Sequence, residues 1–484
     1  MSQLTEIVSL SPSTGEVVGH YPNTSEETIH DLIARARAAS CQWRDIGFKG
    51  RKTILREWAH YIATHIDELA ALVSKETGKP VGDATLEIAL AIDHLSWAAR
   101  NSSRYLSNSH RLPGLLMANM STHVEYQPLG VVGVIGPWNY PVFTPMGSIA
   151  YALAAGNAVV FKPSEYTPGV GHWLGESFNK IAPGANVFFV ATGGPQTGIA
   201  LTKSAVDKIA FTGSTATGKK IAATCAENLT PVLMECGGTD PAIIDRDCNI
   251  AEAAEAVLWG AMANAGQTCV GIERVYVHEE IADRFIEAIK ERASKIVAGR
   301  DYGAATMPKQ LQVIDAHIRD AADRGAEFLV GDVNSVQPPY VHPTIMLNVP
   351  EDSLAVAEET FGPTLTIKRV ASMTEAITLA NASSYGLAAS VWSKRHGKMI
   401  ASQLHCGMVS VNSVLAFTAT PTMPFGGVKQ SGYGRIHGPE GLREFTYTRA
   451  VVAKRFSIPL VFTTFDRKPS VERFIKRFIN LLNR

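Results

Sequence analysis

With 484 residues, 46% hydrophobic and 19% charged, the chain has the composition of an ordinary folded protein and exceeds the size at which one core stops growing. Two or more domains are expected. Lys and Arg (45) balance Asp and Glu (45), and a formal net charge of zero removes the attraction on which most nucleic-acid binding relies. Met1–Glu6 has neither a basic nor an apolar leader pattern, and no run approaches about 18 apolar residues. A cytoplasmic protein with no membrane span is expected. The six cysteines, at 41, 225, 236, 248, 269 and 406, show no C-x-x-C pair and no zinc spacing, so free thiols and no metal are expected.

In chain order, Thr24-Ser25-Glu26-Glu27 is a capping box ahead of Ile29, Leu32 and Ile33, which share one helical face. Thr122, Val124 and Tyr126 alternate as a half-exposed strand would. Val131–Ile135, Ala158–Phe161, Val187–Val190, Ile209–Phe211 and Val232–Met234 read as buried strands, each followed by a turn and a helix. A second series follows Gly237: Ala242–Ile244, Arg274–Val277, Leu365–Val370, Ala388–Trp392 and Met408–Val411. This βα rhythm predicts an α/β fold with two parallel-sheet domains meeting near Glu235–Gly238, a preferred place for an active site.

Several short segments suit chemistry. Cys269 lies between Gly266 and Gly271, which permit close approach by a substrate, although a lone cysteine is more often a small buried hydrophobe. Glu235 ends the apolar run Val232-Leu233-Met234, where a raised pKa would suit base work; a strand-end carboxylate is the plainer alternative. Asn139, before Pro141, reads by itself as a turn residue. Gly213-Ser214-Thr215-Ala216-Thr217-Gly218-Lys219 matches the start of a phosphate-binding P-loop, but Lys220 stands where Ser or Thr must hold Mg²⁺. An NTPase is therefore disfavoured.

Taken in order, Pro137-Trp138-Asn139-Tyr140-Pro141, Lys162-Pro163-Ser164-Glu165, Phe211–Ser214, Met234–Gly238, Gly266–Gly271, Glu359-Thr360-Phe361-Gly362-Pro363 and Pro424–Gly427 resemble the NAD(P)-dependent aldehyde dehydrogenase superfamily. The resemblance runs from about residue 7 to about 455. It implies two Rossmann-like domains and a small β flap for oligomerisation. The cofactor domain would comprise residues 1–118 and 137–236, the catalytic domain 237–445, the flap 119–136 and 446–456, and a tail 457–484. A homodimer or homotetramer acting on a small-molecule aldehyde is implied.

The resemblance also assigns roles. Cys269 is the nucleophile, Glu235 the base that activates water against a thioester, and Asn139 an oxyanion donor alongside the Cys269 N–H. With all three present, an inactive binding module is disfavoured. Trp138, Lys162, Ser164, Glu165, Gly213, Ser214, Gly218, Glu359 and Phe361 are implied to hold the cofactor. A carboxylate at Glu165 would accept from ribose hydroxyls and repel a 2′-phosphate, so NAD is expected over NADP.

Two departures bear on substrate. Ile436-His437-Gly438 follows Arg435 where many members carry a glutamate, and it resembles the branch acting on fatty and aromatic aldehydes. Gly271-Ile272-Glu273-Arg274 is unusual. Thr144, Gly147 and Ser148 are expected to face the aldehyde tunnel, with Gly147 leaving it wide for a medium- or long-chain, aromatic or isoprenoid aldehyde; a small-metabolite semialdehyde is the alternative. In the tail, Ser470 is the expected N-cap of a helix whose Val471, Phe474, Ile475, Phe478, Leu481 and Leu482 form one stripe. Arg467, Lys468, Arg473, Lys476, Arg477 and Arg484 against Glu472 make it strongly basic, so 467–484 is expected either at a membrane interface or docked on protein.

Overall fold

A computed structural model describes residues 6–458 and 464–483. Residues 459–463 and Arg484 of the tail lie outside the described residues. Two compact units result: residues 1–105 with 128–446, and residues 106–127 with 447–484.

The larger unit holds two sheets. The first runs in the order 432–433, 232–235, 208–212, 131–135, 158–162, 188–190. Its strands are parallel except Gly432–Tyr433, which pairs antiparallel with Val232–Glu235. Val131–Ile135 and Ala158–Lys162 are buried throughout, as apolar runs covered on both faces should be. Succeeding strands are laid down first on one side of Val131–Ile135 and then on the other. The strand order therefore reverses there, and the crevice at the carboxyl ends of such strands is where α/β sheets bind ligands.

The second sheet has seven strands, ordered 327–330, 344–347, 364–370, 272–278, 240–244, 388–392, 408–411. It is parallel except that Glu327–Val330 runs against Thr344–Leu347. The chain leaves the first sheet at Glu235 and enters the second at Asp240, so Cys236–Thr239 is the crossing point.

Three expectations are corrected here. The three-stranded sheet of the smaller unit comprises Ser109–Arg111, Met120–Pro128 and Thr446–Lys454. Val131–Ile135 lies mid-sheet in the larger unit, so the proposed 119–136 segment runs one strand too far; its unbroken burial, against the half-buried 120–128, marks the division. Nor do Thr122, Val124 and Tyr126 alternate with their neighbours in burial, because all of Met120–Pro128 is half-buried. At the N-terminus the cap is Ser25, accepting from the Thr28 N–H, one residue later than the Thr24 box.

The tail forms the helix Pro469–Leu482 with no buried residue. Its N-cap is Lys468 rather than Ser470, because Pro469, which lacks an N–H, takes the first helical position. No helix among the described residues is long and apolar enough to cross a membrane.

Candidate active site

Cys269 sits on a loop held by unusual backbone. Asn264, Ala265 and Gly266 occupy the left-handed region in succession, at φ 55°, 56° and 69°. An L-residue pays about 1–2 kcal/mol there, so Ala265 needs its surroundings to hold it. Gly266 could be nothing else: a Cβ would lie 1.9 Å from the carbonyl oxygen of Gly362. Gln267 ties the loop down, its side-chain oxygen accepting from the Thr306 N–H at 2.9 Å and its amide donating to Asn264 O at 3.0 Å. Thr268 Oγ1 lies 3.0 Å from the Tyr140 hydroxyl.

Asn139 reaches the same loop. Its Nδ2 donates to Gln267 O at 2.8 Å, which uses one of two amide hydrogens. Its own carbonyl accepts from Lys79 Nζ at 2.7 Å and Asn264 Nδ2 at 3.1 Å. Lys79 is fully buried and paired with Glu87 at 2.6 Å, and Glu87 Oε1 accepts the Val142 and Phe143 N–H groups. Breaking such a buried pair costs about 3–5 kcal/mol. The pair clamps 139–143 in place, and sequence reading gave no sign of it.

One cavity of about 250 Å³ is lined by both Cys269 and Glu235 but not by Asn139. Cys269 and Glu235 line it with Phe143, Trp259, Val414, Leu415, Phe425 and Ile436. Glu235 is buried, and neither carboxyl oxygen has a hydrogen-bond partner. Burial pushes its pKa well above the usual range, Arg435 opposes the rise and Glu444 adds to it. Arg435 is held by the Gly427 and Gly434 carbonyls. The Cys269 thiol is also pushed far up, by burial first and then by Glu359, Glu235 and Asp240. Both shifts favour the protonated form of the group.

Thr144 lines the cavity as expected, but Gly147 and Ser148 do not. The expectation that Gly147 widens the tunnel fails: a Cβ there would lie 2.6 Å from His437 Nε2 and 3.0 Å from Ile436 Cδ1. The space that Gly147 leaves is filled by the segment after Arg435.

Of the residues expected to hold the cofactor, Trp138, Lys162, Ser164, Glu165, Gly213 and Ser214 lie at or just after the carboxyl ends of first-sheet strands, whereas Glu359 and Phe361 lie on the loop before Thr364–Val370 of the second sheet. Lys162, nearly buried, ends its strand with Nζ 3.3 Å from Glu165 Oε2, and Ser164 Oγ accepts from the Tyr166 N–H. Burial lowers the Lys162 pKa and Glu165 raises it. Gly213 precedes Ser214, which caps the helix Thr215–Ala226 by accepting from the Thr217 N–H. The uncommitted amides of that first turn suit a pyrophosphate. Gly218 lies inside the helix, where a Cβ would meet Cys236 Sγ at 3.0 Å; its part is packing. Lys219 donates to Gln430 Oε1 at 3.1 Å.

Glu359 Oε1 accepts from the Gly238 N–H at 3.0 Å. A Cβ at Gly237 would lie 2.0 Å from Glu359 Oε2, so only glycine admits this pose. Burial, reinforced by Glu273, pushes Glu359 up to about 8. Phe361, at φ 52°, sets its ring edge against Trp138 at 5.6 Å between centroids. Glu273, the odd residue after the cysteine, anchors this loop by accepting from Thr360 N at 3.1 Å and Phe361 N at 2.8 Å. Burial holds it at about 7 despite those bonds.

Among the described residues, Asp245, Asp247 and His396 bring possible metal ligands within 4.8 Å of one another. Their atoms are already committed: Ser393 Oγ lies 2.8 and 2.9 Å from the two aspartates, and Lys394 and Arg395 N–H groups donate to Asp247. The group ties a loop together.

The aldehyde dehydrogenase family model matches residues 1–451. The chain belongs to this family. As an aldehyde dehydrogenase it is an oxidoreductase of a family that uses NAD(P). It is 32% identical to a 4,4'-diapolycopene aldehyde oxidase of Methylomonas sp, over 99% of this chain and 92% of that one. It is 35% identical to a putative succinate-semialdehyde dehydrogenase [NADP(+)] of Mycolicibacterium smegmatis, over 91% and 87%. The crystal structure of an NAD-dependent aldehyde dehydrogenase from Sinorhizobium meliloti matches at TM-score 0.89 and 31% identity, over 95% and 93%. The two α/β sheets are those of this aldehyde dehydrogenase fold.

Proposed function

We propose that this aldehyde dehydrogenase irreversibly oxidises an uncharged, apolar aldehyde to its carboxylic acid with NAD. The observation carrying this reading is the pairing of Cys269 with an unpartnered Glu235 in one apolar cavity. Cys269 gives up its proton to solvent as its sulfur bonds to the aldehyde carbon. The Asn139 amide and the Cys269 N–H meet the charge that develops on oxygen. When bound, the nicotinamide group supplies the two-electron acceptor for the hydrogen leaving that carbon. A thioester on Cys269 remains. Glu235, once ionised, takes a proton from the water that attacks the thioester, and the acid departs as the Cys269–acyl bond breaks.

Wall charge supports an uncharged substrate. Lys79 lines the cavity but is spent on Glu87, and Asp83 and Glu235 add carboxyl groups. A semialdehyde bearing a carboxylate would find no free cation there. Steady-state rates with alkanals from two carbons upward, with aromatic and isoprenoid aldehydes alongside, test the reading. A sharp optimum at acetaldehyde or succinic semialdehyde would contradict it.

For the cofactor, Glu165 follows the strand Ala158–Lys162 and is paired with Lys162, which leaves little to attract a 2′-phosphate. The supported preference is NAD, although relatives named for either cofactor occur. For location, Phe474, Ile479, Leu481 and Leu482 are exposed on a basic helix with no buried residue. That pattern supports a peripheral membrane contact, where apolar aldehydes partition. Sedimentation with anionic liposomes, comparing the full chain with one ending at Asp466, tests it; equal partitioning rejects it. The open outer edge of Thr446–Lys454 in its sheet supports assembly as a homodimer or homotetramer by strand addition.

A further inference from the structure

A base must be ionised to take a proton from water, yet Glu235 is buried and its carboxyl is bonded to nothing. Burial is the largest influence keeping its proton on, Arg435 opposes it and Glu444 adds to it. The backbone shows how Arg435 comes to be there. The segment after Ser431 runs antiparallel past the base, with Gly432 opposite Glu235, and then bridges Phe425 through Ile436. A Cβ on Gly426 would lie 2.8 Å from Glu235 Oε1, 2.7 Å from Gly434 O and 2.9 Å from Arg435 Cδ. The carboxyl and the arginine stem thus press against the same bare stretch of backbone, and glycine at 426 lets them do so.

Arg435 is half-buried. Its hydrogen bonds, to Gly427 O at 2.8 Å and Gly434 O at 2.6 Å, both come from Nη1. Among the described residues it has no carboxylate partner. Tying two carbonyls together needs one N–H₂ group and no charge. A direct ion pair would make Glu235 a weak base, and no cation at all would leave its burial unopposed. The other charges nearby do not supply that balance. Glu444 is paired with Lys208 at 2.5 Å. In the cavity wall Lys79 is spent on Glu87, and Asp83, Tyr140, His437 and the thiols of Cys236 and Cys269 offer no further cation.

We propose that Arg435 is a positioning residue for the base, its guanidinium set beside Glu235 to favour the ionised carboxylate in an apolar cavity without bonding to it. This rests on Glu235 as the base of the proposed function and adds the group that lets a buried acid serve as one.

The test follows thioester hydrolysis itself in the full-length enzyme. Enzyme and NAD are mixed with a substoichiometric amount of octanal and quenched in acid over time, and the acyl-bearing chain is followed by mass at a series of pH values. In wild type the decay should quicken with pH as Glu235 ionises, and Glu235→Gln should abolish that rise. Arg435→Gln removes the charge but keeps an N–H₂ group for the two carbonyls. It should displace the rise to higher pH by about one unit or more, so that decay at its foot is about tenfold slower while the plateau changes little. Arg435→Lys, which keeps the charge, should recover most of the displacement. Glu444→Gln removes an opposing charge and should displace the rise the other way, a result that a loosened fold cannot mimic and that stands even where an Arg435 variant misfolds. A uniform loss at every pH in Arg435→Gln, a displacement that Arg435→Lys does not recover, or an unmoved rise in Glu444→Gln overturns the inference. A rise that persists in Glu235→Gln, or no acylation by octanal, counts against the proposed function instead.

Discussion

At the carboxyl end of Ala158–Lys162, Lys162 and Glu165 are paired with each other, whereas Glu235 and His437 in the cavity have no hydrogen-bond partner. The contrast concerns what each end must do. A paired group can meet a ligand only by exchanging one bond for another, so its net effect is small. An unpaired buried group gains a whole hydrogen bond when the right partner arrives, and its removal is felt in full. Large functional effects should therefore concentrate in the cavity and small ones at the cofactor end.

Four residues order themselves along that contrast. Cys269→Ala should remove oxidation altogether, by more than about 10⁴-fold, while tryptophan fluorescence still reports cofactor binding. An active variant would refute the covalent route. Glu235→Gln should slow turnover about 10²–10⁴-fold and leave a burst of NADH ahead of a slow steady state, because deacylation alone loses its base. Rapid-mixing absorbance decides this, and loss of the burst together with turnover would assign Glu235 to the first step.

Glu273 is intermediate, being buried yet bonded to Thr360 and Phe361. Glu273→Ala should raise KM for the cofactor about tenfold with little change in KM for the aldehyde, and Glu273→Gln should recover most of it. Stability adds a sign. The folded protein holds the Glu273 proton up to about 7, against an ordinary 4.5, so folding binds a proton more tightly than unfolding does. Stability from this group is full below 4.5 and falls as pH climbs through 7. Melting temperatures of wild type should decline over that window more steeply than those of Glu273→Gln, and parallel curves would reject the assignment. The smallest effect belongs to the paired end. Glu165→Gln should shift the NAD over NADP ratio of kcat/KM by less than about tenfold. A reversal of hundreds-fold would show that the pair matters more than its pairing suggests.

The sequence made legible whatever depends on local pattern. Continuous apolar runs such as Val131–Ile135 and Ala158–Phe161 announce buried parallel strands, and each lies where the run places it, extended by a residue at Lys162. Of the motif residues, Cys269 and Glu235 line one cavity, and Asn139 is bonded to Gln267 O two residues before Cys269. What escaped depends on distant partners. Nothing near Lys79 reveals that it will meet Glu87 and the Asn139 carbonyl in the core. Gly147 looked like vacant space because His437, far along the chain, was not yet beside it. Glu273 stood out by residue type, but its role needed Thr360 and Phe361 brought against it. The antiparallel edge strand Glu327–Val330 is only half-buried, so it lacks the fully buried apolar run that marks the central strands. Small local preferences misled at the tail, where Pro469 outweighs Ser470 as the helix start.

The contact between Gly266 and Gly362 has a kinetic consequence. With no side chain between them, the backbone of the nucleophile loop rests directly on the backbone of the loop bearing Glu359 and Phe361. Neither can open to solvent without lifting the other. Their amide protons should thus exchange with deuterium as one cooperative unit, with a shared protection that cofactor binding strengthens on both loops together.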